Sequence, residues 1–256
     1  MHVPILSIVF MAISALISVG VPAALLIYWR KKYKTPLVPA FVGVVAFIVF
    51  ALLLERGVHY VVLSRYHLIE KPLLYMAYGA LMAGIFEETA RWLSFQWLKR
   101  KYNSIGTGLS YGIGHGGAEA FLLVGLAMMS NIAISAVINT DNTALLDKMH
   151  LPAETMALFF STEPILFLVS GMERIFAIAV QISLSVLVFH AVVSGKKWLF
   201  PLAILLHALV DAPAALMQAG AITNVWVVEG IVLACAVLLV CLAVNVHKKI
   251  TFANNY

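Results

Sequence analysis

The sequence predicts an all-α, polytopic membrane bundle of about seven spans, and three observations carry that prediction. Only 11% of the 256 residues are charged, against about 25% in a soluble domain. Apolar runs of roughly 20 residues, the length that crosses the hydrocarbon of a bilayer, recur along the chain. Short clusters of Lys and Arg fall after alternate runs.

The first run, about Val3 to Tyr28, has no basic segment before it and is too long for a signal-peptide core, so it reads as a retained span. A second covers 37–54. Residues 55–71 mix aromatic, aliphatic and charged side chains, as an external interfacial helix does. The third and fourth spans cover 72–98 and 105–130. Residues 131–164 carry a polar patch and then an apolar MALFF. They leave room for an extra helix or a re-entrant piece, although an eighth span would break the charge pattern. The last three spans cover 165–193, 198–217 and 225–246. In the connecting segments, Glu70, Asp141, Asp147, Glu154, His59, His67 and His150 read as solvated surface residues. Residues 1–256 form a single integral membrane domain, with the chemistry concentrated in 72–215.

Basic clusters follow the first, third, fifth and seventh spans: Arg30, Lys31, Lys32 and Lys34; Lys99, Arg100 and Lys101; Lys196 and Lys197; Lys248 and Lys249. They hold eleven of the 17 Lys and Arg residues. The positive-inside rule then puts the N-terminus outside and the C-terminus in the cytoplasm. The formal charge of +5 therefore reflects membrane topology, and no nucleic-acid partner is expected. No glycine-rich phosphate loop is present, so no nucleotide is expected either. Cys235 and Cys241 lie about 9 Å apart along one helix, too far for a disulfide.

The third span carries Glu87, Glu88 and Arg91 in its apolar middle. Each costs about 2.5–3.5 kcal/mol to insert at the bilayer centre, so three within five residues point to a functional site. Two other spans repeat the acid–base pattern at i,i+4: His115 with Glu119 and His207 with Asp211. Each pair shares a helix face. Glu88 lies 10 residues before Leu98, His115 lies 10 after Ile105, and His207 lies 9 after Trp198. At 1.5 Å per residue, all three sit roughly 15 Å from the cytoplasmic boundary. The expectation is a cytoplasm-facing polar cavity among spans three to six. Gly106, Gly108, Gly112, Gly114, Gly116 and Gly117 allow close helix approach in the fourth span. Pro213 kinks the sixth. Glu173, Arg174, Gln181 and His190 read as structural polar contacts in the fifth.

In order along the chain, Glu87–Arg91, Tyr111–His115 and His207–Asp211 resemble the EExxxR, FxxxH and HxxxN/D motifs of the CPBP intramembrane proteases. These are the type II CAAX prenyl endopeptidases and bacteriocin-processing enzymes, and the similarity is strongest to the bacterial YhfC branch. The arginine stands one residue early, Tyr111 replaces Phe, Asp211 replaces the commoner Asn, and Glu119 is an additional acid. The resemblance implies a hydrolase of the bacterial cell membrane acting on a membrane protein or peptide. It assigns Glu87 or Glu88, with His115, to water activation. His207 and Asp211 face the oxyanion, Arg91 orients a glutamate, and Tyr111 and Glu119 lie behind the reacting groups. A metal version of the same chemistry would place Zn on His115, His207 and Glu88, leaving the other glutamate as base. The residues also allow a proton-coupled transporter, although the paired broken helices of transporters are not evident. A non-catalytic membrane scaffold of the same fold is the third alternative.

Overall fold

The computed structural model describes residues 2–253, less the side chains of Thr143, His247 and residues 249–253. Lys249 of the fourth basic cluster therefore lies outside the described side chains. Every regular element among the described residues is helical. Six helices are long and apolar enough to cross a membrane: Ile5–Tyr33, Val38–Arg65, Ile105–Asn139, Pro164–Ser194, Leu199–Gln218 and Val225–Val246. The helix bearing the two glutamates, Pro72–Leu98, is not among them, because the charges in its middle lower its hydropathy. Its 27 residues still reach about 40 Å.

Helix α1 (Ile5–Tyr33) ends on Lys34, whose backbone is left-handed and whose N–H donates to the Arg30 carbonyl. Arg30, Lys31 and Lys32 in its last turn complement the negative end of the helix dipole. The next helix is unbroken from α2 (Val38–Ala46) through a π-helical stretch, Phe47–Glu55, into α3 (Arg56–Arg65). The interfacial helix expected over 55–71 is thus helical to Arg65, but it continues the second span past residue 54 without a break. The polar residues past that point keep helical contacts, with His59 Nε2 3.1 Å from Glu55 Oε1 one turn back.

Pro72 at the first turn starts α4 (Pro72–Leu98), where its missing N–H costs nothing. Helix α5 (Ile105–Ala120) continues through a second π-helical turn, Phe121–Gly125, into α6 (Leu126–Asn139). The expected end at 130 is passed by nine residues. The reason lies in Asn139, which accepts from Val3 N–H at 2.7 Å and donates to Val3 C=O at 3.0 Å. It ties the end of α6 to the start of α1. The segment that follows holds α7 (Thr143–Met149) and α8 (Ala153–Ser161). At 7 and 9 residues, both are too short to cross the hydrocarbon.

Helix α9 (Pro164–Ser194) is the most enclosed of the long helices and ends at Gly195 with φ 71°, a left-handed cap that glycine adopts without strain. Helices α10 (Leu199–Gln218) and α11 (Val225–Ala253) complete the bundle. Helix α4 packs along α10, and α5 packs along both α9 and α2. Two glycines make the α5 contacts possible. A Cβ on Gly114 would stand 2.0 Å from the Ala40 carbonyl oxygen of α2, and one on Gly112 would stand 2.6 Å from Ile182 Cα of α9. With α5 held this closely on both sides, its His115 is fixed between α2 and α4.

Candidate active site

The three acid–base motifs meet. Glu87 and Glu88 are consecutive, about 100° apart around α4, so they reach different partners. Glu87 Oε2 lies 2.8 Å from His115 Nε2 of α5 and 3.8 Å from His207 Nε2 of α10. Gln181 of α9 donates to the same oxygen at 3.1 Å. Glu88 turns the other way. Its Oε1 accepts from Arg91 Nη1 and lies 2.6 Å from His207 Nδ1. Glu88 and Arg91 are fully buried, each with 0% exposure, so the pair neutralises charge where no water can.

Arg91 also donates through Nε to Ser185 Oγ of α9 at 3.1 Å, and its Nη2 lies 3.6 Å from Glu87 Oε2. One guanidinium therefore holds the spacing of both glutamates and anchors α4 to α9. Arginine suits this role because its planar fork presents several donors at fixed angles. His207 Nε2 lies 3.4 Å from Asp211 Oδ2, one turn on. Tyr111 stacks on the His115 ring at 5.9 Å and packs on Phe95 at 4.7 Å, while Phe47 meets His115 edge-on at 5.3 Å. These rings fix the imidazole from two sides.

Behind Glu87 the polar chain continues. Gln181 Nε2 donates to Glu119 Oε2 at 2.6 Å as well as to Glu87. Arg174 Nη1 donates to Glu119 Oε1 at 3.0 Å, and its Nη2 pairs with Glu173. Helix α9 thus supplies Arg174 and Gln181, read from the sequence as structural polar contacts, and Ser185, which was not singled out there. Their spacing of seven and four residues, one face of a helix, was the signal that could have grouped them.

A cavity of about 1010 Å³ opens onto this cluster. Glu87, Glu119, Gln181, His207 and Asp211 line it, whereas Glu88, Arg91 and His115 lie behind its wall. The cavity corrects two expectations. It runs from the cluster toward the helix ends opposite the basic clusters, taking in Tyr75 and Tyr78 of α4, Gln218 of α10 and Thr223 before α11. It therefore opens away from the face expected to be cytoplasmic. His59, expected on the solvated surface, lines the cavity with Glu55, and its Nδ1 lies 2.9 Å from Tyr78 Oη.

The expected zinc set of His115, His207 and Glu88 is not the set whose donor atoms converge. Glu87, His115 and Glu119 offer donor atoms that all lie within 4.8 Å of one another. Glu88 does not line the cavity, and its Oε1 is taken by Arg91 and His207. One nitrogen and two carboxylates are donor types that zinc accepts, so these three residues could hold a metal.

The family model of the YhfC intramembrane metalloprotease family matches residues 13–232. The chain is 39% identical over 244 residues to the uncharacterised membrane protein YhfC of Bacillus subtilis (strain 168), a match covering 91% of this chain and 94% of that protein. No solved structure matches. With its three motifs gathered around one membrane-embedded cavity and most of its length matched, the chain belongs to the YhfC intramembrane metalloprotease family.

Proposed function

We propose that this chain is an intramembrane peptidase of CPBP type that hydrolyses a peptide bond with water activated by Glu87. The observation that carries the reading is the position of Glu87. It is the glutamate of the pair that lines the cavity, and its Oε2 faces both His115 Nε2 at 2.8 Å and His207 Nε2 at 3.8 Å. A base must reach the proton that it abstracts, and Glu88 is fully buried and does not line the cavity.

A water in the cavity gives its proton to Glu87 as its oxygen attacks the carbonyl carbon. His207 faces the developing oxyanion. The imidazolium form donates Nδ1–H to Glu88 and keeps Nε2–H, only loosely held at 3.4 Å from Asp211, to turn to the oxyanion, a charged donor of the kind that lowers such barriers most. Glu87 then returns the proton to the leaving amine as the C–N bond breaks. His115, clamped by Tyr111 and Phe47, orients Glu87. A metal held by Glu87, His115 and Glu119 would itself acidify the water and polarise the carbonyl, with Glu87 then serving as a ligand in place of the base.

The same reading takes α4 as a seventh span, with the N-terminus outside and the C-terminus in the cytoplasm of a bacterial cell. The basic clusters after α1, α4, α9 and in the last turns of α11 support that orientation. The test is a comparison of membrane proteomes from cells making the wild type and Glu87→Gln. Unprocessed precursors should accumulate with the variant, and fragments should appear only with the wild type. Identical proteomes, with the variant present at wild-type level, would remove the peptidase reading.

A further inference from the structure

We infer that the cavity takes its substrate from the extracytoplasmic side, so the substrate is a polypeptide segment exposed on the outer face of the membrane. The inference rests on the peptidase reading for the word substrate, and on the cavity walls for the side.

The walls are one-sided. On α4 the lining runs from Tyr75 to Glu87 and stops there. Glu87 lies twelve residues before Lys99, about 18 Å along the helix. On α10 the lining begins at His207 and ends at Gln218, and it continues at Thr223 in the turn to α11. Lys196 and Lys197 stand at the other end of α10. The catalytic cluster is therefore the floor of the cavity, near mid-bilayer, and the mouth lies at the ends that bear no basic cluster. Between the floor and the basic face the bundle is closed by Phe95, Leu98, Leu109, Leu187 and Phe189, all buried. A substrate approaching from the basic face meets packed side chains. One approaching from the other face meets an open cavity of about 1010 Å³, at the top of the range for small-molecule pockets and roomy enough for a short stretch of extended chain.

Since the basic clusters mark the cytoplasm, the open face is the outer one. A peptide bond reaches Glu87 if the segment that bears it emerges on that face and enters the mouth between α3, α4 and α10.

The experiment reads the side without depending on cleavage. In a Cys235→Ser, Cys241→Ser background, single cysteines are placed at the mouth (Gln218→Cys, Thr223→Cys) and on the basic face (Lys101→Cys, Lys197→Cys). All four native residues are exposed. Intact cells are treated with a membrane-impermeant maleimide, and a second sample is treated after permeabilisation. Mouth positions should label in intact cells, and basic-face positions only after permeabilisation. The reverse pattern, or mouth labelling that requires permeabilisation, overturns the inference. The proteome comparison separates the two claims. Glu87-dependent cleavage in cytoplasmic segments overturns the outer-face substrate while leaving a peptidase. Labelling from outside with no Glu87-dependent cleavage leaves the side standing and removes both substrate and peptidase.

Discussion

His207 Nδ1 sits 2.6 Å from Glu88 Oε1 while His207 Nε2 looks across 3.8 Å to Glu87 Oε2. One imidazole thus touches both glutamates with different nitrogens. Glu88 shares that oxygen with Arg91, which makes it a buried counter-ion, whereas Glu87 keeps a face on the cavity. Adjacent and chemically identical, the two residues should respond differently to the same substitution.

Glu87→Gln is expected to lower the rate of cleavage about 10²–10⁴-fold, the usual contribution of a positioned base, with little change in melting temperature. Glu88→Gln takes from the fully buried Arg91 its nearest charge partner, leaving only Glu87 at 3.6 Å. Removing one member of such a pair costs about 3–5 kcal/mol. Thermal denaturation of both variants in detergent checks this, and an equal loss of stability in the two would contradict the division of labour.

Metal content distinguishes the two candidate donor sets. If Glu87, His115 and Glu119 hold the ion, His115→Ala and Glu119→Ala should lower the zinc content of the purified protein well below one per chain, while His207→Ala retains it. Elemental analysis of the three variants decides. Zinc loss in His207→Ala equal to that in His115→Ala would favour the set read from the sequence.

Gln181 bridges Glu87 and Glu119 through one amide nitrogen. Gln181→Ala and Glu119→Gln should therefore be non-additive, with a coupling of about 0.5–3 kcal/mol in a double-mutant cycle on cleavage rate. Additive effects would mean that the two side chains act separately.

At the mouth, His59 lies between Glu55 and Tyr78 and away from the reacting groups. His59→Ala should raise KM with kcat nearly unchanged, the sign of lost uniform binding. One hydrogen bond is worth about 0.5–1.5 kcal/mol, so the rise should be roughly 2- to 12-fold. A fall in kcat at constant KM would place His59 in the chemistry instead.

Helix packing has its own test. A methyl group at Gly114 meets the Ala40 carbonyl at 2.0 Å, and overpacking of this kind costs about 1–3 kcal/mol. Gly114→Ala should lower the melting temperature and also the activity, since α5 carries His115.

The helical class and the meeting of the three motifs were legible in the sequence, because an insertion penalty is paid residue by residue and depth follows from counting. Glu87, Glu88, His115 and His207 were placed at one level by their distances from the basic clusters, and their side chains do touch. Counting fixes a level but not a rotation about the helix axis. It could not say that Glu88 faces Arg91 and His207 while Glu87 faces the cavity. Nor could it show that Glu87 turns a carboxylate oxygen toward the His115–Glu119 pair of α5, because that depends on how α4 and α5 are rotated against each other. The side on which the cavity opens was misread for the same reason: a distance to one surface says nothing about where the packing leaves a gap. Helix was expected over 55–71, but its unbroken continuation from the second span was masked by Glu55 and Arg56, whose charges resemble a membrane boundary although Glu55 is buried.

The burial of Glu88 and Arg91 bears on how the chain is made. Helix α4 leaves the ribosome with two carboxylates and a guanidinium in its centre, and within α4 only Glu88 and Arg91 fully answer each other. His115 follows soon after, but Gln181, Ser185 and His207 are translated roughly 90 to 120 residues later. Until α9 and α10 are made, the charges of α4 lack the Gln181, Ser185 and His207 contacts that enclose them. The polar cluster is then complete only once α9 and α10 have been made, late in the synthesis of the chain.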